Sequence, residues 1–371
     1  MSALETAAGL SSSRHPVAGF EDAVELFFER GWTDGLPVVP PTEEAVARFV
    51  AASGRAPDAV VGEYPSRRRS ITVEKAAVNA VMAGCRPEYF PVVLALLEAL
   101  CDERTGMHIP NATTGGSALG FVINGPVIGE IGLNFRGGSL GPGCRANSTI
   151  GRALRLVQIN VLGSVPGAGN PEGERPILDR ATLAQPGRYA GYHIVENECD
   201  FPTLAPLHVE RGFAREQSVV TLFCTNGHVQ YGLSGARDAR ETVRVLARYL
   251  RGTGKLSQAG FCALVIPPEC AQHFVRAGWS KRDIREALHA ATRRSVAWAK
   301  RNGWGTHGGL GERLGAPVEP GDEERSVAIA SSPDDILLVV SGAPAGAFVQ
   351  CLFPYGSTPV SREVRGPGES P

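Results

Sequence analysis

Gly120-Phe-Val-Ile-Asn-Gly-Pro126 and, further on, Arg136-Gly-Gly-Ser-Leu-Gly-Pro-Gly-Cys-Arg-Ala-Asn147 decide the reading of the fold. The first is a short apolar run stopped by Asn-Gly-Pro, which reads as a strand and a turn. The second is a glycine-rich loop that feeds a helix from about Ser148 to Leu162. Strand, loop and helix in this succession predict α/β layers. Upstream, a helix over 18–30 ends at Gly31-Trp32, Thr42 caps a helix over about 43–52, and Thr72 caps an alanine-rich helix that stops at Gly84. Another helix follows over about 88–101. Downstream, strands near 192–196, 218–224, 261–266 and 336–340 lie among helices near 238–251, 268–277 and 281–301. The expectation is a mixed α/β fold with glycine-rich loops, arranged as two α/β subdomains over 18–165 and 189–360. Residues 166–188 read as a linker or long loop, and 1–17 and 361–371 as frayed tails. Phe28-Glu-Arg-Gly-Trp-Thr33 and Phe274-Val-Arg-Ala-Gly-Trp-Ser280 echo each other, as a trace of duplication or simply a shared helix stop.

The 45 glycines and 27 prolines among 371 residues are scattered rather than periodic, so they punctuate short elements and supply loops. Formal net charge is −1, which gives no long-range field toward nucleic acid or an anionic membrane. No apolar run approaches the roughly 20 residues of a membrane span, and the first residues carry no apolar signal core. A cytoplasmic protein is therefore expected. The eight cysteines form no CxxC and no zinc or disulfide spacing, so most are expected to be reduced core residues.

Three constellations carry candidate chemistry. The loop holding Gly141 and Gly143 leads into a helix start bearing Arg145, Asn147 and Arg152, an arrangement suited to a carboxylate or phosphate. It is neither a Walker A loop nor GxGxxG, and a tight turn beside solvated arginines is the bland alternative. On the helix after Thr72, Lys75, Asn79, Met82 and Arg86 share one face. A lysine facing a cavity there would suit proton transfer; a solvent-facing stripe is the alternative. Cys85 closes that helix as a candidate thiol, with Cys144 as a second. Finally, strand alternation would put Glu196 with Glu198, and His208 with Glu210, on common faces as acid/base partners or hard metal ligands. No HExxH or complete ligand spacing is present, so neither a metal nor a cofactor is expected.

Several blocks resemble a bacterial family associated with UGSC-motif (seleno)proteins. They are Gly31-Trp-Thr-Asp-Gly-Leu-Pro-Val-Val-Pro-Pro-Thr42, Glu74-Lys75, Asn79-Ala-Val-Met-Ala-Gly-Cys-Arg-Pro-Glu-Tyr-Phe-Pro91 and Asn147-Ser-Thr-Ile-Gly-Arg-Ala-Leu-Arg155. Glu196-Asn-Glu198 and Pro206-Leu-His-Val-Glu-Arg-Gly-Phe213 fit the same pattern. The resemblance implies Glu74, Lys75, Asn79, Cys85, Asn147, Arg152, Glu196, Glu198 and His208 as site candidates, but no particular reaction. A bulky residue stands at the place of Cys144 in the family pattern, which lowers the rank of that thiol. The chain has no UGSC sequence, so selenol chemistry is not carried over.

The leading expectation is an enzyme for a small carboxylate-bearing metabolite. The glycine loop with Arg145 and Arg152 would anchor the anion, and Lys75 or His208 would move protons with Glu196 or Glu198, in a lyase- or hydratase-type step. Hydrolysis would use nearly the same parts. The alternatives are a thiol-dependent redox enzyme or partner of a UGSC-type protein, and a non-catalytic ligand-binding or assembly protein. The alanine-rich helices suit a homodimer interface as well as a core.

Overall fold

The computed structural model describes residues 9–106, 108–165, 179–252, 260–302 and 317–366. Its strands are β1 (Val60–Tyr64), β2 (Arg69–Thr72), β3 (Ala118–Asn124), β4 (Tyr192–Val195), β5 (Val219–Gly232), β6 (Cys262–Ile266), β7 (Arg294–Ser295), β8 (Ser326–Val327), β9 (Ile336–Val340), β10 (Phe348–Pro354) and β11 (Val360–Glu363). Its helices are α1 (Phe20–Glu29), α2 (Glu43–Ser53), α3 (Val73–Ala83), α4 (Phe90–Leu100), α5 (His108–Ala112), α6 (Val127–Glu130), α7 (Arg145–Asn160), α8 (Leu207–Glu210), α9 (Ala239–Gly252), α10 (Pro268–Arg276), α11 (Lys281–Thr292) and α12 (Val296–Arg301). This is a mixed α/β fold. The pairs β1–β2 and β7–β8 stand apart from one seven-stranded sheet ordered β4-β3-β5-β10-β6-β9, with β11 added on β5.

The strand order reads the same from either end when β3, β4 and β5 are exchanged for β6, β9 and β10. β3 pairs parallel with β4 and antiparallel with β5, as β6 pairs parallel with β9 and antiparallel with β10. The long strand β5 and β10 join the halves. The correspondence extends to single bonds. Glu196 N–H donates to Ile123 O at the end of β4, and Ser341 N–H to Ile266 O at the end of β9. The Gly-Trp echo does not follow this exchange, because one copy precedes β3 and the other follows β6. Both copies are the same helix stop. Trp32 N–H reaches Phe27 O, Trp279 N–H reaches Phe274 O, and Gly31 and Gly278 take φ of 65° and 70°.

Alternation along the strands sorts side chains into three cores. Phe121 and Ile123 of β3 face the helices α3, α4 and α7, whereas Val122 faces inward. In the other half Leu264 and Leu338 face α9 to α11, while Ala263, Val265, Leu337 and Val339 join the inner cluster. The outermost strands of the order approach where Asn197 N–H donates to Val340 O (2.8 Å), so the sheet rolls around that cluster. Helix α7 lies directly on the segment before β4: a Cβ at Gly151 would sit 1.7 Å from Ala190 O.

Several expectations need correction. The division between 18–165 and 189–360 is not a break in the sheet, since β3 pairs with both β4 and β5. Residues 9–17 are not loose: Leu10 packs on the first helical core and Ser11, Ser12, Arg14 and His15 make side-chain or backbone contacts. The supposed C-terminal tail begins inside β11 and continues into Arg365, which bonds Glu98 at 2.9 Å. Much of the proposed linker, 166–178, lies outside the described residues. Among the described residues no helix is long and apolar enough to cross a membrane.

Candidate functional site

Helix α3 is the element around which the candidate site is built. Thr72 caps it, its Oγ1 accepting from Lys75 N–H (3.3 Å), and Gly84 ends it at φ 87°. Ala76, Ala77, Ala80 and Ala83 are buried, and these small side chains let α7 and α2 approach closely. The helical period then places Lys75, Val78, Asn79 and Met82 along one wall of a cavity of about 750 Å³. That volume falls in the range of small-molecule sites. Two further cavities among the described residues, of about 10 and 20 Å³, have room for little more than a water.

The opposite walls come from the N-terminal segment, α1, the start of α2 and the β1–β2 turn. Leu26, Phe27 and Trp32 form an apolar floor, with Trp32 edge-on to Phe27 (5.8 Å between ring centroids) and to His15 (5.2 Å). Glu74 is buried and fastens the N-terminal segment. It accepts from Ser11 N–H, Ser12 N–H (2.7 Å) and Ser11 Oγ–H (2.9 Å). Burial pushes its carboxyl pKa up, but these donors outweigh burial and hold it below the usual value. Arg14 pairs with Glu43. Arg68 and Arg69 at the turn have no carboxylate partner among the described residues, nor does Lys75, whose Nζ lies 3.4 Å from Ser70 O. Arg68 is one of two non-glycine residues with positive φ among the described residues (51°), a conformation costing about 1 kcal/mol.

The sequence candidates do not converge. Glu74, Lys75 and Asn79 reach the cavity, with Glu74 occupied as a latch and Asn79 tied to Lys75 O and to Asn160 Nδ2. Lys75 is exposed on the cavity side rather than buried. The glycine loop is a structural joint, not an anion cradle. Arg145 donates Nε to Gly84 O (2.8 Å), capping the C-terminus of α3. Arg152 grips both oxygens of Asp34 (2.9 and 2.8 Å) and Pro37 O. The Asn147 side chain accepts from Asn134 N–H and donates to Asn134 O and Ser139 O, fixing the loop that holds Gly141 and Gly143. Gly141 N–H is bonded to Gly138 O, and Gly143 supplies a φ of 121°. The expected helix start at Ser148 is three residues late, so Arg145 and Asn147 lie in its first turn. Cys85 is buried, and burial pushes its thiol up to about 12, which opposes the thiolate form a nucleophile needs.

Glu196, Glu198 and His208 meet instead at the seam where β4 and β9 approach. Glu196 follows β4 and is not within a strand, and 207–210 forms the single helical turn α8, not an alternating strand. Glu196 Oε1 accepts from Lys281 Nζ (2.6 Å), and its Oε2 accepts from Asn124 Nδ2 (2.6 Å) and Leu207 N–H (2.8 Å). Glu198 accepts from Gly125 N–H and Asn124 Nδ2. His208 is wholly buried, its Nδ1 3.8 Å from Glu198. Glu210 bonds Arg285 at 2.7 Å and is pushed up by burial against the pull of Lys281 and Arg285. Glu196 and Glu210 tie α11 to the end of β4 and to α8, while His208 Nδ1 and Glu210 Oε2 are buried without a hydrogen-bond partner. Among the described residues no group of three or more His, Cys, Asp or Glu side chains is placed to hold a metal ion.

The residues the sequence reading missed are Arg14, His15, Trp32, Arg68 and Arg69 in the cavity, and Lys281 and Arg285 at the seam. The run Arg67-Arg68-Arg69, separated from the Thr72 cap by two residues, was the one available signal, since it brings basic side chains close in sequence to Lys75. A scan of protein-family models, a search of curated proteins and a search of solved structures each found no match to the chain.

Proposed function

We propose that the cavity between the N-terminal segment and α3 binds a small carboxylate-bearing metabolite, and that Lys75 moves a proton on it in an elimination, hydration or related acid/base step. One observation carries the reading: a lysine without a carboxylate partner among the described residues opens into a 750 Å³ cavity with an apolar floor. A ligand filling this space displaces water from around Lys75, which strengthens its interaction with the ligand anion. His15, in the same lining, is a second group able to carry a proton.

The test is calorimetric titration of a panel of aliphatic and aromatic carboxylates, with proton NMR of each bound acid to detect turnover. Lys75→Met should weaken binding at least tenfold and abolish turnover while the circular dichroism spectrum stays unchanged. A Lys75→Met protein that binds and converts the acids like the parent would refute the proposal.

A further inference from the structure

We infer that the ligand carries a second negative group beside its carboxylate, on a body with an apolar face. The inference rests on the cavity being the functional site. The lining holds four cationic side chains, Arg14, Arg68, Arg69 and Lys75, against two carboxylates, Glu43 and Glu74. With His15 neutral, this leaves a net charge of +2 around the cavity, whereas the chain as a whole carries −1. The surplus is therefore local. It is also of a particular kind, because the two acids are already occupied, Glu43 by Arg14 and Glu74 by the N-terminal segment. What remains for a ligand is Lys75 and the guanidiniums of the consecutive residues Arg68 and Arg69. Against the net charge of +2 of the whole lining, a single carboxylate leaves one unit unmatched and a dianion leaves none. Guanidinium forks suit a second carboxylate or a phosphate alike. The apolar floor of Leu26, Phe27 and Trp32, with Val78 and Met82 beside it, takes the rest of the molecule.

The experiment compares benzamide, benzoate, phthalate and 2-phosphonobenzoate, the last two with the same ring substitution, by calorimetry at low and high salt. The parent protein should bind phthalate or phosphonobenzoate about tenfold or more tightly than benzoate, with benzamide weakest, and salt should narrow the gap. Whichever dianion wins identifies the second group. Arg68→Gly removes one guanidinium while keeping a backbone that tolerates positive φ, so the fold is preserved. It and Arg69→Met should reduce the dianions to the affinity of benzoate and leave benzoate within about twofold. Equal binding of benzoate and both dianions would overturn the inference while leaving the cavity as the site, provided Lys75→Met still weakens binding at least tenfold. Failure of every acid to bind, or binding untouched by Lys75→Met, would overturn both.

Discussion

Replacing Lys281 with Met separates a structural role for the Glu196 cluster from a catalytic one. The Lys281 side chain is 1% exposed and that of Glu196 3%, with 2.6 Å between their charged atoms. At an effective dielectric constant of about 20 their gross attraction is about 6 kcal/mol, much of it offsetting the desolvation of both groups. Removing the ammonium leaves the carboxylate buried with only the Asn124 amide and the Leu207 N–H. Breaking such a pair costs about 3–5 kcal/mol. Glu196→Gln alone strands the ammonium near Glu210, 3.8 Å away, and should cost somewhat less. The double variant leaves neither charge uncompensated, so the two losses should fall short of additive by about 2 kcal/mol or more. Urea denaturation followed by tryptophan fluorescence measures all three proteins, with acid binding at 20% unfolding or less as the control. Additive losses, or a Lys281→Met protein within about 1 kcal/mol of the parent, would refute the structural assignment. Lost binding without lost stability would move the functional site to the seam.

Gly151→Ala should destabilise the protein by about 3 kcal/mol or more, visible as a lowered melting temperature, because the new methyl would meet the Ala190 carbonyl at 1.7 Å. Iodoacetamide on the native protein at pH 8 should label exposed Cys199 before buried Cys85, whose thiol sits near 12, as peptide mass spectrometry would reveal. The Glu74 latch has a depressed pKa, so its contribution is complete above the unfolded value of 4.5 and is lost as pH falls through the lower folded value. Proteolysis within residues 9–18 should accordingly accelerate below about pH 4.5, and Glu74→Gln should accelerate it already at pH 7.

Local elements were readable because their signals are local. Thr72, Gly84 and the alanines between them announce α3 and its boundaries, and Thr42 does the same for α2. The four parallel-paired strands are apolar runs bounded by turn residues. The strands β10 and β11 escaped notice because Gln350 and Pro354 in one and Arg362 and Glu363 in the other interrupt the apolar pattern. Pro206-Leu-His-Val-Glu210 is too short to distinguish a period of two from one of 3.6, so a helical turn passed for a strand. The site was less legible than the fold. Lysine, arginine and glutamate look alike in sequence whether they face a ligand or each other. Arg152 finds Asp34 across 118 residues and Lys281 finds Glu196 across 85, distances at which spacing carries no information. The shared face of Lys75, Asn79 and Met82 was readable because a helix face is set by neighbours three and four residues away.

Hydrogen exchange with and without saturating phthalate tests the central claim most directly. Protection should concentrate in the backbone amides of residues 10–32 and 68–82, whose side chains surround the cavity. Protection confined to 136–147 or 196–210 would contradict the account and return the chemistry to the glycine loop or to the buried acids at the seam.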